Sequence, residues 1–126
     1  MPTPEEVRAV VEDYVSLGNN NDKDAVLALF RKDAVWFDPV GAPPHVGHDG
    51  IAAFWDQTRT MAEKIELVPK DIVVCGAEAA MTMEIHATIG GATMVMDCVE
   101  TFEVDDDGLI AHMKAYWDMS KARTRG

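Results

Sequence analysis

The chain changes the period of its apolar positions about halfway along. Near the start Val7, Val10, Val11, Tyr14 and Val15 recur at helical spacing, with Arg8, Glu12 and Asp13 on the other face. Thr3 is placed to cap this helix, Pro4 suits its first position, and Glu6 completes a capping box. Gly18 and the run Asn19, Asn20, Asn21 end it. Asp22 reads as the cap of a second, short helix with Val26, Leu29 and Phe30 on one side. Ala34 to Asp38 is a short strand-forming run stopped by Pro39 and Gly41. After a turn region from Gly41 to Gly47, a third helix starts at His48 or Asp49. It carries Ile51, Phe54, Trp55, Thr58 and Met61 or Ala62.

Beyond this point the period is two. Met81, Met83, Ile85, Ala87 and Ile89 alternate with Thr82, Glu84, His86 and Thr88, the pattern of a half-buried strand. Gly90-Gly91 signals a hairpin. A partner strand follows from about Thr93 to Val104, then a turn at Asp105-Asp106-Asp107-Gly108. A further strand from Leu109 to Asp118 has Leu109, Ala111, Met113, Ala115 and Trp117 on one face. Ile65 to Cys75 adds one more, with Pro69 placing it at an edge or a bulge. Helices first and an antiparallel meander after them predict an α+β fold, three N-terminal helices on one face of a curved, mainly antiparallel sheet. Residues 1–126 read as a single domain.

Charge and composition narrow the partners. A net charge of −11 disfavours nucleic acid and anionic lipid, since neutralising phosphates takes Lys and Arg. No apolar run reaches membrane-span length. The N-terminus lacks the basic start and apolar stretch of a secretory signal, so a cytoplasmic location is expected. Cys75 and Cys98 read as two buried free thiols. His45, His48, His86 and His112 show no metal spacing, and Lys121 to Arg125 reads as a frayed basic tail.

Three polar groups fall on faces that should be buried. Glu100 shares its strand face with Met94, Met96, Cys98 and Phe102, while Val95, Asp97, Val99, Thr101 and Glu103 point the other way. Desolvation raises a carboxyl pKa, so an acid there can stay protonated and donate a hydrogen bond. Tyr14 lies within the apolar stripe of the first helix, where a buried hydroxyl seeks a partner. Asp38 shares a strand face with Trp36 and suits a general base, since a carboxylate beside aromatic surface is shifted toward working pH. Each also has an ordinary structural reading: an ion pair for Glu100, a core tyrosine, an aspartate opening a turn before Pro39. Asp97 competes with Glu100 and is expected near solvent or at a subunit contact.

The chain resembles the bacterial Δ5-3-ketosteroid isomerases, of the cone-shaped nuclear transport factor-like or SnoaL-like superfamily. The likeness rests on Tyr14 in the first helix and on Ala34-Val35-Trp36-Phe37-Asp38-Pro39-Val40-Gly41. It continues through Pro43-Pro44 and Ile51-Ala52-Ala53-Phe54, then Val99-Glu100-Thr101-Phe102, Asp107-Gly108-Leu109-Ile110 and Met113-Lys114-Ala115-Tyr116-Trp117. It implies that Asp38 shuttles a proton beside a ketone while Tyr14 and a protonated Glu100 donate to the oxygen that becomes an anion. Those isomerases are the established case of a carboxylic acid kept neutral for this purpose. It implies no metal or cofactor, a hydrophobic steroid-like ketone as ligand, and a homodimer formed through the sheet. Glu100 replaces the family's aspartic acid, and its extra methylene shifts the donor by about 1 Å unless the pocket adapts. Trp55 stands where the family often has tyrosine. Strand parity adds Met83, Ile85, Met96, Cys98, Met113 and Trp117, with Phe54 and Trp55, as the substrate-binding surface.

Other members of the superfamily offer alternatives: a polyketide cyclase, a dehydratase, or a non-catalytic carrier of hydrophobic small molecules. A dimeric interaction module using the open sheet face is another. An epoxide hydrolase of this fold calls for an arginine between two aspartates, and the inward faces offer no clear arginine.

Overall fold

The computed structural model describes residues 1–125. Helix α1 (Pro4–Asn19) starts on the full capping box: the Thr3 hydroxyl accepts from Glu6 N–H, and the Glu6 carboxylate accepts from Thr3 N–H. Its stripe of Val7, Val11, Tyr14, Val15 and Gly18 is buried against the sheet. Full burial of each such valine contributes about 1.5–3 kcal/mol. Asp22 caps α2 (Lys23–Ala28) through Ala25 N–H. Helix α3 (Gly47–Met61) begins at a glycine with φ +69°, where a Cβ would meet the Lys32 carbonyl at 3.1 Å.

The strands are β1 (Phe30–Phe37), β2 (His45–Val46), β3 (Lys64–Cys75), β4 (Glu78–Ile89), β5 (Ala92–Val104), β6 (Ile110–Tyr116) and β7 (Arg123–Arg125). They form one open sheet in the order β2-β1-β6-β5-β4-β3, with β7 paired to β5. All neighbours are antiparallel except β1 and β6. The sheet is therefore mixed. Gly90 and Gly91, both at positive φ, make the tight β4–β5 hairpin, a conformation the paired glycines adopt without a Cβ penalty. Pro69 lies on edge strand β3 beside a register shift, so both roles open to a strand proline are filled.

Strand β3 is tied to α1 through its backbone. The Asn19 amide donates to the Leu67 carbonyl at 2.9 Å and accepts from Leu67 N–H at 2.8 Å, and Arg8 donates to the Ile72 carbonyl. These bonds satisfy edge groups that would otherwise be open to pairing. They also hold α1 across the concave face. Among the described residues, no helix is long and apolar enough to cross a membrane.

Two expectations need correction. Lys121–Arg125 is not a frayed tail: β7 extends the free edge of β5, with Arg123 donating to Asp97 and Glu84 and Arg125 to His86. The charge that suggests solvent is matched by carboxylates on β4 and β5. Of the two thiols, Cys98 is buried but Cys75, at the end of edge strand β3, is exposed.

Candidate active site

Strand β1 ends at Phe37, and the next residue, Asp38, stands at the rim of a cavity of about 560 Å³ between the concave sheet and helices α1 and α3. The loop after Asp38 is held by a hydrogen bond from Val40 N–H to the Ala115 carbonyl on β6. The indole N–H of Trp117 donates to Asp38 Oδ1 at 2.7 Å. Desolvation nevertheless dominates and raises the Asp38 carboxyl to about 6, with the Trp117 bond acting against it. At neutral pH Asp38 is mostly ionised, yet it takes a proton readily.

Glu100 comes from the middle of β5, between Met81 on β4 and Ala115 on β6. It is 2% exposed, the one buried side chain of charged type among the described residues. Among the described residues its Oε1 has no hydrogen-bond partner, and its carboxyl enters no ion pair. A buried carboxylate in that state would bear a large desolvation cost. Burial first, and then the nearby Asp38 carboxylate, push its pKa well above the ordinary value. Both effects favour the neutral acid, the form of Glu100 that can donate.

Tyr14 reaches the same cavity from α1. Its ring is edge-on to Phe30, Trp36 and Phe102, at centroid distances of 6.5, 6.2 and 5.6 Å. Burial, Glu100 and Asp38 together hold the phenol well above its usual range, so it too stays protonated. A phenol, a carboxyl biased toward its neutral form and a carboxyl poised near pH 6 thus line a single apolar space. Their protonation states are pushed apart by position rather than by chemistry.

Of the ligand-contacting residues expected from strand parity, Phe54, Trp55, Ile85, Met96 and Trp117 line the cavity. Met83, Cys98 and Met113 do not. They point to the concave side but are packed within the core, at 1%, 3% and 0% exposure. Parity separates inside from outside, and in a cone the inside holds both solid core and cavity wall. Asp97 is on the outer face, exposed and paired with Lys70 and Arg123, which together with its hydrogen bonds hold its carboxyl below the usual range.

Several wall residues escape a sequence reading. Trp36 contributes an indole whose N–H is buried and unpartnered. His45 stacks on Phe54, with ring centroids 4.0 Å apart. Arg59 lines the cavity from α3, so the inward surface does carry an arginine. The clue available was its position one turn after Trp55, which puts both on one helix face. Arg59 is not part of an aspartate pair: the ion pairs of the described side chains use Lys23, Arg31, Lys70, Arg123 and two histidines.

Comparison with known proteins places these features in context. Residues 11–113 match the SnoaL-like domain. A steroid Δ-isomerase of Nocardioides simplex is 29% identical over 112 residues, covering 89% of each chain. The epoxide hydrolase LasB of Streptomyces lasalocidi is 26% identical over 129 residues. That match spans 95% of this chain and 44% of LasB, so the chain corresponds to under half of that protein. Among solved structures, SalBIII, an epoxide hydrolase/cyclase-like enzyme with a role in pyran ring formation in the polyether salinomycin, superposes with a TM-score of 0.92 at 20% identity. It is matched over 99% of this chain and 100% of its own. RV0760c of Mycobacterium tuberculosis superposes with a TM-score of 0.88 at 22% identity, over 99% and 100% of the two chains.

Proposed function

This chain belongs to the SnoaL-like domain family, and from that premise we propose that it is a cofactor-independent isomerase that moves a C=C bond into conjugation with a ketone, as on a Δ5-3-ketosteroid. One observation carries the reading. Glu100, buried, neutral and with an orphaned oxygen, shares a cavity with an Asp38 poised near pH 6. The identity to a steroid Δ-isomerase over most of both chains supports it.

In this reading Asp38 takes a proton from the carbon between the ketone and the double bond. The electron pair moves onto the carbonyl oxygen and a dienolate forms. Tyr14 and Glu100 donate hydrogen bonds to that oxygen. Asp38, now protonated, returns the proton two carbons further on, and the enone is conjugated. Charge on the oxygen grows only as the reaction proceeds, so these donors favour the transition state over the bound ketone. The proton leaves and returns through one carboxyl group, which suits a base whose two states are close in energy at working pH. The apolar wall formed by Phe54, Ile85 and Met96 suits a flat hydrophobic ketone.

A second reading follows from the same pair. A neutral acid can give up its proton entirely, so Glu100 would protonate an epoxide oxygen while Asp38 deprotonates the attacking hydroxyl. The likeness to the epoxide hydrolase LasB favours considering it.

The test is formation of conjugated enone from 5-androstene-3,17-dione, followed by ultraviolet absorbance, in wild type and Asp38→Asn. Loss of the base is expected to lower kcat/KM by about 10²–10⁴-fold. No conversion by wild type, or equal rates for the two proteins, would remove the isomerase reading. Turnover of a hydroxy-epoxide by that same wild type would put the second in its place.

A further inference from the structure

Arg59 is a cation on the wall of an apolar cavity in a strongly acidic chain. It enters none of the ion pairs formed by the described side chains. It is nevertheless fixed in place. Its guanidinium lies 3.5 Å from the Trp55 ring centroid, Nε donates to Asn21 Oδ1 at 3.3 Å, and Nη1 donates to Thr58 Oγ1 at 2.9 Å. The Nη2 edge makes no hydrogen bond among the described residues. A half-buried guanidinium that is held in one orientation and has free N–H groups is preorganised for an anion.

Tyr14, Glu100 and Asp38 share the cavity wall with Arg59. Arg59 is tied to Asn21, just past the C-terminal end of α1, and Tyr14 precedes that end by about 7–8 Å at 1.5 Å per residue. We propose that Arg59 binds a carboxylate at the far end of an apolar ketone, so that the substrate class of this site is a keto acid of steroid-like size rather than a neutral ketone. The inference rests on the ketone site proposed above and names the other half of its ligand. It also fixes orientation: a carboxylate entering reversed would meet ionised Asp38. The net charge of the chain does not oppose this. At physiological salt, exposed charges are screened beyond about 8 Å, whereas Arg59 acts at contact.

The test uses ligands that cannot isomerise. A saturated 3-oxo steroid with a side-chain carboxylic acid and its methyl ester would be titrated into wild type, Arg59→Met and Arg59→Lys. Quenching of the cavity tryptophans reports binding. Wild type is expected to bind the acid about 10–100-fold more tightly than the ester, the gain of a charged hydrogen-bonded pair at a partly desolvated site. Arg59→Met should abolish that preference by weakening the acid far more than the ester, with Arg59→Lys recovering part of it. Equal binding of acid and ester by wild type would overturn the proposal, and that comparison needs no variant. So would equal weakening of both ligands in Arg59→Met, the mark of a structural role. A loss confined to turnover of neutral 5-androstene-3,17-dione, with no acid preference to lose, would assign Arg59 to the oxyanion instead. Acid preference without any isomerisation would support Arg59 as the anchor while removing the isomerase reading.

Discussion

Glu100 and Asp97 are three residues apart on the same strand, and their carboxyls are pushed in opposite directions. Glu100 faces the cavity, enters no ion pair among the described residues, and has its carboxyl pushed well above the usual range by burial. Asp97 faces outward, meets Lys70 and Arg123, and is held as a carboxylate. Glu84 on β4 belongs with Asp97, its carboxyl lowered first by His86 and then by Lys70 and Arg123. The sheet sorts its acids by face. Outside, charges are matched and ordinary. Inside, the acids are left unmatched, a costly arrangement for stability that makes sense where an uncharged donor and a poised base are needed.

Activity is where the two faces should differ most. Glu100→Ala is expected to lower kcat/KM for enone formation by about 10²–10³-fold, the usual cost of one oxyanion donor. Asp97→Ala should stay within about twofold of wild type. The reverse order would show that the wrong carboxyl faces the substrate. Glu100→Asp sharpens the point: it keeps the neutral acid and withdraws it by one methylene. An activity equal to wild type would mean the pocket adapts to either length.

The next effect is on stability, and its sign distinguishes the faces. Asp38 has a folded-state pKa of about 6 against an ordinary 3.8, so between those values the folded protein holds a proton that the unfolded chain has released. Stability from this group is fully present below about pH 4 and is lost as pH rises through 6. Between pH 5.5 and 7.5 Asp38 alone should account for about 1 kcal/mol, and Glu100 acts in the same direction. Half-buried His45, lowered mainly by desolvation, acts in the opposite sense, because its contribution is lost as pH falls. The informative quantity is therefore the difference between wild type and Asp38→Asn/Glu100→Gln in urea unfolding. The double variant should be the more stable protein at pH 7.5, with its advantage shrinking toward pH 5.5. A constant difference across that range would mean the inner acids are not held protonated.

The legible parts of this molecule were those encoded within a few residues. Thr3-Pro4-Glu5-Glu6 spells out its own capping box, and the alternation around Glu100 states which way that acid points. Long-range matching was not legible. Nothing local in Ala34 to Asp38 says that β1 will lie parallel to β6, the contact that brings Asp38 under Trp117. Arg123 looks solvated until Glu84 and Asp97, distant in sequence, are seen beneath it. Arg59 looks outward because polar residues on a helix usually are. Its burial depends on Trp55 offering a ring face and on Asn21 closing over it from another element.

The smallest effect concerns the outer network itself. Arg123 bridges Glu84 and Asp97, and with the Arg125–His86 contact it lays β7 along the edge of β5. All of these side chains are accessible to water, so the pairs are screened and individually weak. Arg123→Ala should therefore leave kcat/KM unchanged and hardly move the global unfolding midpoint. Its effect should be local: faster amide exchange at Thr93 to Val95 and Arg123 to Arg125, where pairing depends on the clamp. Raising sodium chloride from about 0.05 to 0.5 M should bring wild type toward the variant, because the Debye length falls well below the spacing of the pairs' neighbours. Exchange that is insensitive both to salt and to Arg123→Ala would show that backbone pairing alone holds β7, and the outer charges would then be decoration on a sheet edge rather than what closes it.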